Sequence, residues 1–224
     1  MPTDKAYYAI GLAELQDAVE PSFDSKEARD IIRDELGIQN IDDVFEYLSD
    51  EPIASASIGQ VYKGKLRKNG MEVAVKVQRP NVLENVALDL YVMRSILAPL
   101  WNKFINSRDK KKQESETSSD EDDDISINKS NTDSIALVDA WGEGFVNELD
   151  YRAEANATKA FTKAMEERGL GSVVFAPEVI DELSSTHVLT TKWVDGERLS
   201  NSDEDDVPRL CGVALNAYLT LLLG

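Results

Sequence analysis

Apolar side chains recur at helical spacing over Ala6–Glu20 (Tyr7, Ile10, Leu15, Val19), and Pro21 ends that run. Ser25 followed by Ala28, Ile31, Ile32 and Leu36 predicts a capped helix with Gly37 as its stop. A third, short helix is expected over Ile41–Leu48. The pattern changes at Glu51, where Ile53–Ile58 is small and apolar. Beyond Gly59, the runs Gln60–Leu66 and Met71–Val77 flank Asn69-Gly70. Both of those residues accept positive φ, so the spacing predicts a β-hairpin, closed by Pro80. A long helix is expected from Val82 to Phe104, with Val86, Leu90, Met93, Leu97, Leu100, Trp101 and Phe104 along a stripe. Helical spacing resumes at Ile135 and runs to about Arg168, with Gly169 as its end. Val173–Phe175 and His187–Val194 read as strands, and Val207–Leu223 as a final apolar helix.

Composition sets limits on this picture. The chain has 224 residues, 42% of them hydrophobic, which is enough for a buried core and excludes disorder throughout. Residues 107–134 differ: Lys110–Lys112 precede Ser118-Ser119-Asp120-Glu121-Asp122-Asp123-Asp124, and Ile125 and Ile127 are the only large apolar residues nearby. This stretch is expected to be a disordered acidic insertion between two helices. Ser118 and Ser119, each three residues ahead of an acid, read either as targets of an acid-directed kinase or as part of a solvated linker. The expected organisation is a helical N-terminal extension over 1–50, a sheet-bearing lobe with long helices over 51–199, and the first helix of a further lobe over 200–224. An apolar helix at the end is expected either to find its packing partner beyond Gly224, the simpler account, or to exchange one with another molecule.

A net charge of −18 repels phosphate backbones, so general nucleic-acid binding is not expected. The single cysteine, Cys211, has no partner for an internal disulfide and reads as a small buried hydrophobe in a reducing compartment. His187, the one histidine, rules against a histidine-based metal site. Met1–Ile10 carries neither a secretory signal nor a transit peptide, and Leu210–Leu223 is too short to span a bilayer. The chain therefore reads as soluble, and any membrane contact as peripheral.

Candidate chemistry begins at Val73-Ala74-Val75-Lys76. On a strand, Val73, Val75 and Val77 point one way, Ala74 and Lys76 the other. A small residue beside a lysine on one face suits a nucleotide: Ala74 leaves room for a flat base and Lys76 reaches the phosphates, as in the Val-Ala-Ile-Lys strand of protein kinases. Taken alone, such a lysine is more often a solvent-facing charge. Upstream, Ala54-Ser55-Ala56-Ser57-Ile58-Gly59-Gln60 lies where a kinase has its Gly-rich loop, and small side chains let backbone N–H groups approach phosphate. Downstream, Asp150 and Glu154 are four apart on a presumed helix. Their like charges call for a cation between them, for which Lys76 and a magnesium ion are candidates, or else they form a plain acidic solvent face. In kinases a helix glutamate pairs with the strand lysine, and Glu154 is the candidate for that role.

The blocks Pro52–Tyr62, Val73–Pro80, Glu148–Asn156 and Trp193–Leu199 together resemble, in order, the signature segments of the UbiB/ADCK family of atypical protein-kinase-like proteins. The resemblance implies an α+β fold: a kinase-like N-lobe of antiparallel sheet plus helices, with an N-terminal helical extension and a truncated helical C-lobe. It implies binding of ATP or ADP with Mg2+, ATPase-like activity, and a role in isoprenoid-quinone metabolism in a mitochondrion or plastid. Lipid, quinone precursors and a membrane surface are the implied partners besides the nucleotide. By motif matching, Lys76 holds the phosphates and Glu154 pairs with it. Ala54, Ser55, Ala56, Ser57, Gly59, Gln60 and Ala74 line the nucleotide. The backbone of Lys192, Trp193 and Val194 meets the adenine, and Glu148 and Asp150 lie near the metal. The family's Lys-x-Gly-Gln, His-x-Asp and Asp-Phe-Gly motifs are not found between Met1 and Gly224, so this stretch by itself is expected to be inactive. Two other readings are a non-catalytic nucleotide-binding scaffold in lipid or quinone assembly, and a helical interaction module with an incidental hairpin, which predicts no response to nucleotide.

Overall fold

A computed structural model describes residues 23–56, 58–101, 103, 134–197, 202–203 and 205–223. The expected helix over Ala6–Glu20, Ser57, Phe104 and the insertion over 107–133 lie outside them. The elements run α1 (Ser25–Leu36), α2 (Ile41–Val44), β1 (Phe45–Leu48), β2 (Ala54–Ala56), β3 (Gly59–Leu66), β4 (Glu72–Gln78), α3 (Val82–Val92), α4 (Ser134–Glu148), α5 (Tyr151–Glu167), β5 (Val188–Lys192) and α6 (Val207–Leu223). They fall into two compact units, Met1–Pro80 with Leu149–Gly224, and Asn81–Glu148.

The first unit is built on an antiparallel sheet of order β1-β3-β4-β5, with β2 paired to the other end of β3. Val73, Val75 and Val77 of β4 are fully buried, while Ala74 and Lys76 are half-buried on the opposite face, as the alternation predicts. On the valine side lie Tyr62, Val188, Phe45 and Leu48, covered by Ala28 and Ile32 one turn apart on α1. Residues 23–48 are thus continuous with the sheet core. The cap of α1 is Asp24, not Ser25: its carboxylate accepts from Glu27 N–H at 2.7 Å. Gly37 ends the helix at φ 63°, a left-handed position that favours glycine.

Three sequence expectations change. The short helix stops at Val44, because Phe45 and Leu48 enter the core as β1 by pairing with β3. The hairpin is present, but its loop spans 67–70 and only Gly70 has positive φ (68°). Leu66 accepts from Gly70 N–H and donates to Met71 C=O, so Asn69 serves through its side chain, which accepts from Met71 N–H at 3.1 Å. Val173–Phe175 is not a strand: Val173 ends a turn, with Leu170 C=O accepting from Val173 and Val174 N–H, and Val174–Phe175 are irregular. The strand at 188–192 is present.

The helix expected over 135–168 is two helices. At the break, Leu149 C=O accepts from Gln78 Nε2 at 2.6 Å, and Asp150 (φ −92°, ψ 102°) caps α5. Cys211, expected to be buried, is exposed on α6, where Leu215, Tyr218 and Leu222 are exposed as well.

The second unit pairs α3 with α4. The expected helix from Val82 passes through a π-helical turn at Met93–Leu97 before α-helical geometry resumes at 98–101. Gly142 gives Leu90 room: a Cβ there would stand 3.0 Å from a Leu90 methyl. Arg94 Nε and Asp139 Oδ1 are 2.6 Å apart. Among the described residues no helix is long and apolar enough to cross a membrane.

Candidate functional site

Strand register assembles the site on the face opposite the valine core. Val61 pairs with Lys76 and Lys63 with Ala74 on one side; Leu189 pairs with Lys76 and Thr191 with Ala74 on the other. Helix α5 lies over this face, packing Tyr151 and Ala155 against Leu189. Its first turn is fixed by three local causes. Asp150 accepts from Arg152 N–H at 3.0 Å, Tyr151 N–H donates to Thr186 C=O, and Tyr151 is fully buried. Glu154 follows one turn later and meets the strand lysine: Lys76 Nζ donates to Glu154 Oε2 at 2.6 Å. The ammonium also sits 4.4 Å from the centre of the Tyr151 ring.

Lys76 and Glu154, expected to pair, are therefore brought together. Ala74 lies beside Lys76 on the same face, and Val61 and Ala74 form a shallow apolar strip leading from it. At the far end Trp193 carries Lys63 over its ring at 4.6 Å, and its indole N–H donates to Asp195 at 2.7 Å. Lys192 N–H is taken by Glu178 C=O and Trp193 N–H by Glu72 C=O. Those two donors hold the sheet edge, so an adenine would have to use Val194 or carbonyl oxygens.

Ala54–Ala56 form β2 against Gly59–Val61, with Ala54 and Ala56 exposed and Ser55 half-buried. Ser57 lies outside the described residues. Gln60 departs from expectation, because its side chain is fully buried in the core. It donates to Phe23 C=O at 3.0 Å and accepts from Tyr62 Oη at 2.7 Å. Gly59 has a role the sequence did not announce: a Cβ there would stand 2.6 Å from Tyr151 Oη and 2.6 Å from Val77 C=O. Its missing side chain makes room for the tyrosine. Tyr151 itself was missed, since nothing local in the sequence marks a residue that fills space above a distant glycine.

The metal expectation fares differently. Asp150 is a cap, not a helix-face acid, and its cation is Arg152, with contacts of 3.0, 3.2 and 2.8 Å. That hydrogen bonding outweighs partial desolvation and holds the Asp150 carboxyl below its usual range. Glu148 ends α4 in the other unit. Among the described residues no three His, Cys, Asp or Glu side chains gather to hold a metal. Burial, with Glu154 adding to it, pushes the Tyr151 phenol well up, so it stays a neutral donor. A cavity of about 560 Å3 elsewhere in the first unit, between the hairpin turn and 178–183, includes neither Lys76 nor Glu154.

Comparison with known proteins gives concordant matches. Residues 14–210 match the family model described as the ABC1 atypical kinase-like domain. Protein ACTIVITY OF BC1 COMPLEX KINASE 3, chloroplastic, of Arabidopsis thaliana is 36% identical over 193 residues, covering 86% of this chain and 23% of that protein. ACTIVITY OF BC1 COMPLEX KINASE 1, chloroplastic, of the same plant is 32% identical over 214 residues, covering 96% of this chain and 27% of that one. A probable protein kinase UbiB of Shewanella loihica is 51% identical over 86 residues, 38% of this chain and 15% of its own. Among solved structures, the Rv3197–erythromycin complex of Mycobacterium tuberculosis matches with a TM-score of 0.54 and 26% identity, over 87% of this chain and 42% of that one. The chain spans about a quarter of the length of the curated plant relatives named here.

Proposed function

The chain belongs to the ABC1 atypical kinase-like family, and from that premise we propose that its kinase-like N-lobe grips ATP or ADP, with Lys76 on the phosphates and Glu154 orienting it. The observation that carries this reading is the 2.6 Å contact between Lys76 and Glu154. The pair has its charged ends on the face that also bears Ala74. A side chain at Ala74 larger than methyl would occupy the space a flat base needs. The α/β-phosphates would lie along Lys76 beneath Ala54, Ser55, Ala56 and Gly59, whose small side chains leave backbone N–H groups approachable. Glu154 keeps the ammonium aimed at that space, so binding a phosphate exchanges one anionic partner for two without turning the lysine.

Magnesium, where it takes part, supplies charge neutralisation on the phosphates. Asp150 is committed to Arg152 and the helix cap, so the described residues do not fit a resident metal, and no step is assigned to one. The wider reading, that the whole protein acts in isoprenoid-quinone metabolism against a membrane surface in an organelle, is supported by its kinship with UbiB. A plastid is favoured over a mitochondrion because several relatives carry the word chloroplastic in their names. A thermal-shift titration with Mg-ATP and Mg-ADP tests the core of the proposal. The wild-type chain gains stability with ligand, and Lys76→Met gains none. Equal gains in both discard the site.

A further inference from the structure

Tyr151 is the one buried side-chain polar atom without a hydrogen-bond partner among the described residues. Its ring is fully used: it packs with Ala155 and Leu189 and forms the wall against which the Lys76 ammonium rests. Phenylalanine would do all of that. The hydroxyl instead reaches the spot above Gly59 that a Cβ would fill, at the end of the small-residue loop. A buried hydroxyl without a partner costs on the order of one lost hydrogen bond, and the great majority of such groups are paired. The phenol is held neutral by its surroundings, so what it lacks is an acceptor.

Several potential acceptors stand nearby, and none is used. Val77 C=O is engaged in the sheet through its pairing with Gln60 on β3, and the Glu154 carboxylate is engaged by Lys76. An acceptor that reaches both the lysine ammonium and the loop end would also come within reach of this hydroxyl. A phosphate oxygen held between Lys76 and the loop has that chemistry.

Resting on the nucleotide reading above, we propose that Tyr151 is a positioning residue whose hydroxyl donates to a phosphate oxygen of the bound nucleotide. The phosphate takes this bond beside Gly59, where no side chain intervenes. Tyr151 therefore favours phosphate-bearing ligands over the bare nucleoside.

The test compares wild type and Tyr151→Phe, using the full chain, by calorimetric titration with adenosine, ADP and ATP, alongside melting of the ligand-free proteins. Loss of one charge-assisted hydrogen bond predicts about a ten-fold weaker Kd for ADP and ATP in the variant and an unchanged Kd for adenosine. The ligand-free variant is expected to melt at the same temperature or higher, because a hydroxyl without a partner has been removed. A merely structural role would lower that melting temperature instead. Equal ADP and ATP affinities in the two proteins overturn this inference alone, as does an equal loss for adenosine. A wild-type chain that binds none of the three ligands overturns the nucleotide reading and this inference with it.

Discussion

Lys76 Nζ and Glu154 Oε2 stand 2.6 Å apart although 78 residues separate them along the chain. The lysine is about a quarter exposed and the glutamate nearly half. A pair so open to solvent stabilises a fold by about 0–1 kcal/mol at most. Its geometry therefore matters more for where it holds a charge than for how much it contributes to folding.

Lys76→Met should accordingly change unfolding free energy by no more than about 1 kcal/mol while removing nucleotide-induced stabilisation. Chemical denaturation and ligand titration on the same samples separate the two effects. A large loss of stability without ligand would mean that the lysine is a structural group.

Gly59→Ala is expected to be costly for a different reason. The new methyl meets both a tyrosine oxygen and a backbone carbonyl of β4 at 2.6 Å. Backbone cannot give way as a flexible side-chain end can, so a cost of about 1–3 kcal/mol follows from overpacking. Combining Gly59→Ala with Tyr151→Leu should recover only part of it, since Val77 C=O remains. Full recovery in urea denaturation would show that the tyrosine alone sets the cost.

Asp150 discriminates cap from metal ligand. Asparagine also caps helices well, whereas alanine does not, so Asp150→Ala should lower stability by about 1 kcal/mol and Asp150→Asn by much less. Magnesium dependence of nucleotide binding, measured by titration with and without the ion, should be the same in Asp150→Asn as in wild type. A selective loss of magnesium dependence would restore the metal role.

Glu35 gives the chain an acid-sensitive contact. Burial raises its carboxyl pKa, but hydrogen bonds from Ser185 and His187, together with the charge of His187, outweigh this and leave it lowered. The His187 Nδ1–Glu35 Oε1 distance is 2.7 Å. A carboxylate with a depressed folded-state pKa contributes stability that is present above its unfolded value, about 4.3. That stability is lost as pH falls through the folded value. Melting curves from pH 7 to pH 3 should show wild type more stable than Glu35→Gln at neutral pH, with the gap closing below about pH 4. A gap that persists at pH 3 would assign the difference to packing.

Much of this arrangement was written in local pattern. The alternation of Val73–Val77 set which residues face the core, and the lysine at 76 with an acid at 154 named both ends of the contact. The misses share one cause: they depend on partners far away in sequence. Phe45–Leu48 has helical spacing and becomes a strand because β3 offers an edge there. Apolar periodicity runs straight through Leu149–Asp150, and only the Gln78 amide shows why the helix breaks. Gly59 reads as a glycine for phosphate, and what the structure adds is the space it leaves for a phenol. Gln60 looked polar and available, yet its amide is spent inside the core.

The hydrogen bond from Gln78 to Leu149 also bears on how the sequence can vary. It ties the point where the polypeptide leaves the sheet lobe to the point where it returns, so Asn81–Glu148 is a detour with a fastened base. Closing such a detour costs entropy that grows only with the logarithm of its length. Trimming or extending the acidic tract in its middle should thus leave lysine and glutamate meeting as before, and foreign segments grafted there should be tolerated.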